Sequence, residues 1–422
     1  MFAHNVHKLA TARTTKESSV STMSVVPNTQ GQLHQGALEK TRLLPKSLLY
    51  SIFARIGGHG LDTDAFEALR ASYRGGFLGK AIAYDNRQTE IPSNLIYSLR
   101  WHPVRLMSFV GSKPYYGVKK RYLDWTATRF LETGRYDFFH SWSGDCLRSL
   151  RVAKRRRIPS LIEIPTWHRD RATGRAGEAS PAGNTWKSRL LLERERFLEE
   201  YQLADLIVVL SEKAAETFRV RGFPDDKLFY LPRGVDTDRF RPGIRPKKFI
   251  AVFTGALIER KGVHHLLEAW SRLNLNEAEL WLVGAVHDEI KPHLNRFAAE
   301  SVKVIGFVRD HEKLLQQATV YVFPSQWEGS AKTVYEAAAC GLPSITTREA
   351  GDVVRDGIEG IIVQPGDVDA VGAALKHLYD NPDVVEKMSK AARQRVIDNF
   401  TWDHYRERLL DAYGVAIKRA QR

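Results

Sequence analysis

Cysteine is nearly missing from this chain: Cys146 and Cys340 are the two among 422 residues. That is too few for a disulfide framework and fits a reducing cytoplasm. Long hydrophobic runs are missing too. Leu206–Leu210 is of strand length, far short of the roughly 20 apolar residues a membrane span needs. No integral membrane segment is expected. The stretch from Met1 to about Pro45 lacks the apolar run of a signal peptide. Its Thr, Ser, Gln, Asn and Lys bury too little apolar surface to offset ordering entropy, so residues 1–45 read as a disordered tail. Met23 is a candidate true start. There is no internal repeat, no helix-turn-helix and no RNA-binding signature. A Gly-x-Gly-x-x-Gly after a first strand is absent as well, which argues against a Rossmann dehydrogenase.

What is present is the composition of a soluble globular protein, with 43% apolar and 27% charged residues. The length allows two ordinary cores, since single cores rarely grow past about 250–300 residues. The net charge is +14, which would suit a nucleic acid, an anionic membrane surface or a phosphorylated substrate. Much of the excess falls in Lys154-Arg155-Arg156-Arg157 and in Arg169, Arg171, Arg175, Lys187 and Arg189. Each cluster also reads as a solvated helix end or polar loop. Nucleic acid is the weakest partner, because no recognition motif accompanies the charge.

From Ser47 onward short apolar runs alternate with helical patterns, the mark of βαβ units and a parallel sheet. In the first half the strands are expected at Leu48–Ala54, Leu78–Tyr84, Phe138–His140, Ser160–Ile164 and Leu206–Leu210. Helices are expected at Leu61–Ser72, Asp145–Arg157 and Trp186–Leu203. Arg87 to about Arg121, with Pro92, Pro103 and Pro114, reads as an irregular insertion. Arg241 to Lys248 has a linker composition. Beyond it strands end repeatedly in glycine, at Gly255, Gly284 and Gly306, which puts tight turns along the ligand-binding edge of a doubly wound sheet. The boundaries so drawn are a tail at 1–45, a Rossmann-like domain at 46–242, a second at 243–398 and a closing helix at 399–422.

One segment can supply several groups that handle a diphosphate and a sugar: Phe323-Pro324-Ser325-Gln326-Trp327-Glu328-Gly329-Ser330-Ala331-Lys332-Thr333-Val334-Tyr335-Glu336. Glu328 falls in a strand-to-helix loop. The amides of Ser330, Ala331, Lys332 and Thr333 open the next helix, where a phosphate is favoured. Glu336 lies within that helix beside three alanines, a site where a carboxylate is costly to desolvate without a partner. Taken alone, two glutamates eight positions apart also read as a surface residue and a helix ion pair.

In context, the segment from Phe323 through Gly341-Leu342-Pro343 to Gly351 resembles the signature of glycosyltransferase family 4, a retaining family with the GT-B fold. Thr254-Gly255 through Lys261-Gly262 resembles its diphosphate loop. Leu231-Pro232-Arg233-Gly234-Val235-Asp236 with Phe240 and Pro242 resembles its interdomain signature, and Ala204-Asp205 through Ser211 and Phe400-Thr401-Trp402 agree in order. The resemblance is strong from about Leu203 and thinner before it. It implies an α/β protein of two Rossmann-like, doubly wound parallel-sheet domains facing a cleft. It also implies transfer of a sugar from a nucleotide diphosphate sugar, with retention and without an obligatory metal or other cofactor. The absence of a convincing Asp-x-Asp metal motif agrees with that. Glu336 would bind the ribose, Glu328 would orient the sugar and Lys261 would neutralise the leaving diphosphate, with Gly255 in the same loop. The closing helix would cross back onto the first domain.

Some features depart from the family. Ala256 stands where an arginine is usual, and Arg260 is the candidate to replace its charge. Lys332 either reaches a phosphate or acidic sugar or faces solvent. In the first domain Gly57-Gly58-His59-Gly60 is either a loop for donor or acceptor or an ordinary turn. His168 matches a family histidine that contacts the sugar, though Pro165 shifts its register. His140 reads more readily as structural. The polar loop from Arg169 to Asn184 is a candidate lid.

The expected partners are a nucleotide-sugar donor and a glycan or lipid-linked acceptor at a cytoplasmic site, at or near an anionic membrane face. A catalytically weakened binding subunit, for which Ala256 speaks, and a nucleotide-sugar epimerase are the rival readings.

Overall fold

The computed structural model describes residues 42–58, 60–100, 112–169 and 195–422. His59, residues 170–184 of the candidate lid and all but the last four residues of the 1–45 tail lie outside it. Arg42 pairs with Glu407 and Asp411 on the last helix. Among the described residues no helix is long and apolar enough to cross a membrane.

The first sheet has seven parallel strands, β1 (Leu48–Ile56), β2 (Leu78–Asn86), β3 (Ile96–Ser98), β4 (Phe138–Trp142), β5 (Ser160–Ile164), β6 (Leu206–Val209) and β7 (Leu228–Tyr230), in the order β3-β2-β1-β4-β5-β6-β7. The central strands are largely apolar because helices cover both faces; β5 and β6 are buried along their whole length. The second sheet has six, β8 (Phe249–Thr254), β9 (Ala278–Val283), β10 (Val302–Gly306), β11 (Val320–Phe323), β12 (Ser344–Thr346) and β13 (Gly360–Ile362), ordered β10-β9-β8-β11-β12-β13. In each sheet the winding reverses beside the first strand, between β1 and β4 and between β8 and β11. Such switch points are where open α/β sheets bind ligands.

The stretch from Arg87 to Arg121 is more regular than the sequence suggested. It contains β3, and the helix Ser112–Thr133 begins inside it. Pro114 misled the reading. It is the third residue of that helix, where a missing amide hydrogen removes no intrahelical bond. In the first domain β7 and the helix Glu212–Arg219 were also not foreseen; Ser211 caps that helix by accepting from the Ala214 amide at 3.1 Å.

The last helix, Trp402–Ala420, starts in a capping box of Thr401 and His404 and packs on the helix Leu61–Arg74 of the first domain. Tyr413 sets its ring edge-on to Phe138 at 5.2 Å, and its hydroxyl meets His140 Nδ1 at 3.0 Å. His140 Nε2 lies 3.0 Å from Glu163, whose other carboxylate oxygen accepts from the Tyr405 hydroxyl. His140 is therefore a fully buried structural histidine.

Lys154 to Arg157 end the helix Leu147–Arg155, which runs back from β4, and stop just short of β5. Arg156 and Arg157 line a groove with Lys46 and Tyr136 at the amino-terminal edge of the first sheet. This is the edge opposite the switch point, so the most conspicuous basic cluster of the sequence is not in the cleft.

Candidate active site

The second domain builds most of the site from two strand ends. After β8 the chain turns at Gly255, whose φ of +139° suits only glycine; a Cβ there would lie 2.9 Å from the Lys261 ammonium. Gly284 after β9 comes closer still, since its Cβ would fall 1.8 Å from the Gly255 carbonyl oxygen. The short turn Glu259–Lys261 then closes on Gly262, at φ +73° with its α-carbon against the Pro324 carbonyl. The β8 loop is thereby pinned to the loop after β11. The pinning continues through the Gln326 amide, which donates to the Arg260 carbonyl at 2.9 Å.

These loops bring Glu328, Arg260 and Lys261 together. Arg260 Nη1 lies 2.8 Å from Glu328 Oε1 and donates to the Trp327 carbonyl at 2.7 Å. Its guanidinium also stands over the Trp327 ring at 4.7 Å. Lys261 Nζ is 3.8 Å from the same Glu328 oxygen. Burial lowers the Lys261 pKa, and the Glu328 charge opposes that shift. Two cations and one carboxylate thus face one point at the carboxyl ends of β8 and β11. Arg260 thus places a positive charge at this point, on the same loop as Ala256.

The helix Lys332–Ala339 opens at this point without a side-chain cap. Of the four amides expected to face a phosphate, that of Ala331 is already used, donating to the Ala350 carbonyl at 2.7 Å. The Ser330 hydroxyl turns inward to Tyr335 at 2.8 Å, and the Thr333 hydroxyl accepts from Tyr321 at 2.6 Å. The first-turn amides of Lys332 and Thr333, which lack intrahelical acceptors, remain to meet an anion.

Glu336 lies within this helix with a side chain only 6% exposed. Its partner is His311, Nε2 to Oε2 at 2.9 Å. His311 was missed in the sequence. The available signal was Gly306, a strand-end turn of the same ligand edge, with His311 in the loop behind it. Burial works against the imidazolium, but the hydrogen bond and charge of Glu336 outweigh it and raise the His311 pKa above 6.5. A group raised on folding stabilises fully below its unfolded value and loses that contribution as pH climbs through the folded one. The stability gap between wild type and His311→Gln should therefore be wider at pH 6 than at pH 9 in urea unfolding. A gap independent of pH would show that the pair is not charge-assisted.

Three contacts through Gly329, Ser330 and Lys332 help join this site to the first domain. Lys332 Nζ donates to the Gly60 carbonyl at 3.3 Å, so it reaches across the cleft. Gly329 rests on the chain after β5; a Cβ there would fall 2.2 Å from the Pro165 oxygen. Arg233 is buried, pairs with Asp64 of the Leu61–Arg74 helix and donates through Nε to the Ser330 carbonyl at 3.1 Å. Gly57 and Gly58 fold on themselves and on Gln88, so their loop meets the site through the Gly60 carbonyl.

His168 does not join the site. It is 1% exposed, with its ring packed against Tyr201, Phe218 and Phe223 at 5.1, 4.8 and 5.8 Å. Its backbone amide donates to Thr217 Oγ1 at 2.9 Å. The shift introduced by Pro165 turns this side chain into the core, and the expected sugar contact is withdrawn.

Two family profiles match successive stretches of the chain. "Glycosyltransferase Family 4" matches residues 89–239 and "Glycosyl transferases group 1" matches residues 234–395. The chain belongs to glycosyltransferase family 4. It is a glycosyltransferase with the GT-B fold. Among its relatives is the MMP alpha-(1->4)-mannosyltransferase of Mycolicibacterium hassiacum, 29% identical over 69% of this chain and 74% of that protein. Another is the alpha-maltose-1-phosphate synthase of Mycobacterium tuberculosis, 30% identical over 49% of this chain and 62% of that protein. A solved relative is HepE of Anabaena in complex with UDP-glucose, at TM-score 0.62 and 16% identity, covering 86% of this chain and 98% of that one. A likeness that distant speaks for the fold alone.

Proposed function

We propose that this family 4 glycosyltransferase takes its sugar from a nucleotide diphosphate sugar and passes it, with retention of configuration, to a glycan or lipid-linked acceptor held by the first domain. The observation that carries the reading is the convergence of Lys261, Arg260 and Glu328 on one point beside the uncapped start of the Lys332–Ala339 helix.

In this reading the diphosphate lies against Lys261, Arg260 and the amides of Lys332 and Thr333. These groups stabilise the charge that grows on the leaving group and need no reorganisation to do so. Glu336 accepts the ribose hydroxyls, releasing or sharing His311. Glu328 orients the donor sugar beside its anomeric carbon. The leaving phosphate takes the acceptor proton on the face it departs from, which retains configuration without a base on the opposite side. The site works without a bound metal or other cofactor, at a cytoplasmic membrane face.

Proton NMR of slow donor hydrolysis, run on a panel of nucleotide sugars, tests the stereochemistry. The first free sugar should keep the anomeric configuration of the donor. The opposite anomer appearing first would rule out retention, and interconversion of the intact donor would favour the epimerase.

A further inference from the structure

Resting on the reading that this cleft holds a nucleotide diphosphate sugar, we propose that Glu328 has a second role, as the internal counter-anion of Arg260 and Lys261. It competes with the diphosphate for these cations, and so makes the site prefer the sugar conjugate to the free nucleoside diphosphate. Glu328 Oε1 lies 2.8 Å from Arg260 Nη1 and 3.8 Å from Lys261 Nζ. The Glu328 and Lys261 side chains are 19% and 18% exposed, so water screens their charges only in part. That carboxylate oxygen is buried and accepts no well-aligned hydrogen bond from a described residue. Among the described residues, the two cations are what compensates it for the water it has lost.

The cations have holds of their own besides Glu328. Arg260 Nη1 donates to the Trp327 carbonyl at 2.7 Å, and its guanidinium covers the Trp327 ring. Lys261 sits beside Gly255, with its ammonium 5.4 Å from the centre of the Phe323 ring. The backbone of Glu328 is fixed as well, its amide donating to the Glu349 carbonyl at 2.9 Å. The carboxylate is therefore the member that gives way. Rotation about its side-chain bonds takes it off the cations while both loops keep their places.

A diphosphate that reaches Arg260 and Lys261 displaces Glu328 and leaves its carboxylate beside a second anion. When a sugar is attached, the displaced carboxylate accepts the sugar hydroxyls, and these bonds offset the repulsion. A free nucleoside diphosphate offers no such hydroxyl. Its terminal phosphate also carries nearly one further negative charge at neutral pH, because the second pKa of such a group is about 6. Glu328 thus penalises the product and spares the donor, a selectivity that comes from a repulsive element. After transfer the carboxylate returns to Arg260 and drives the diphosphate out.

Isothermal titration calorimetry of the full chain with UDP, GDP, ADP, CDP and dTDP, and with their glucose and mannose conjugates, tests this. Glu328→Gln should bind its nucleoside diphosphate about tenfold more tightly than the wild type does, because a like charge beside the phosphate has been removed. Its affinity for the sugar conjugate should not rise, since glutamine is a weaker acceptor for the sugar hydroxyls. Glu328→Asp, which keeps the charge, should hold the diphosphate as weakly as the wild type. Diphosphate affinity that is unchanged or lower in Glu328→Gln would overturn the proposal, and so would equal tightening of diphosphate and conjugate. A merely structural role for Glu328 would weaken both ligands. The donor reading is judged separately, by loss of diphosphate binding in Glu336→Ala, and it stands on that result whatever Glu328 does. No diphosphate bound by either the wild type or Glu328→Gln would sink the donor reading and this proposal together.

Discussion

Lys261→Met should lower kcat by about a hundred- to a thousand-fold, the usual effect of removing one preorganised charge-stabilising group. Lys261 is held against Gly255 and 3.8 Å from Glu328, so its charge is fixed before the donor arrives. The loss should fall mainly on kcat, because the diphosphate gains charge as the bond breaks and the missing cation matters most there. The Lys261 ammonium stands over the Phe323 ring at 5.4 Å, and methionine keeps most of the apolar stem, so a folding defect is not expected. Steady-state kinetics with the donor that the binding screen identifies gives the answer. An unchanged kcat would mean that Arg260 alone carries the leaving group.

The second large effect concerns stability. Arg233 and Asp64 have side chains only 5% and 4% exposed. Removing one member of a buried ion pair leaves an uncompensated charge and costs about 3–5 kcal/mol. Arg233→Met should lose about that much in guanidinium unfolding. It should also loosen the hold on the Ser330 carbonyl, raising the donor KM. The double variant Arg233→Met with Asp64→Leu should recover most of the stability, since replacing both charges by apolar groups is often neutral. It should not recover the KM, because the bond to Ser330 stays absent. Full recovery of both would show that Arg233 acts through packing alone.

How much of this was legible in the sequence depended on how local each cause is. The ligand edge of the second domain was legible because Gly255, Gly284 and Gly306 fall at or just after the ends of β8, β9 and β10, and a glycine turn is a local signal. Glu328, Lys261 and Arg260 were found because loops at strand ends carry them to one edge. The Ser112–Thr133 helix was hidden by Pro114, whose meaning changes with its position in a helix. His168 was misplaced because one residue decides whether a side chain leaving β5 enters the cleft or the core. Arg233 with Asp64 and His311 with Glu336 were invisible as pairs: 169 and 25 residues separate them, and nothing local announces either contact. The charge clusters show the same limit. Sequence order made Lys154–Arg157 conspicuous, while the fold sets that cluster at the end of the helix Leu147–Arg155, on the sheet edge away from the switch point.

The most direct test of the central claim is a thermal-shift measurement of the whole protein against nucleoside diphosphates and their sugar conjugates, repeated on Glu336→Ala. A ligand that binds only the folded state raises the melting temperature by mass action, by an amount equivalent to about 2.7 kcal/mol at a hundred times its Kd. One nucleoside diphosphate should raise the melting temperature of the wild type and fail to do so in the variant. No shift with any nucleotide, or an equal shift in both proteins, would contradict the assignment of this cleft as a nucleotide-sugar site built around Glu336.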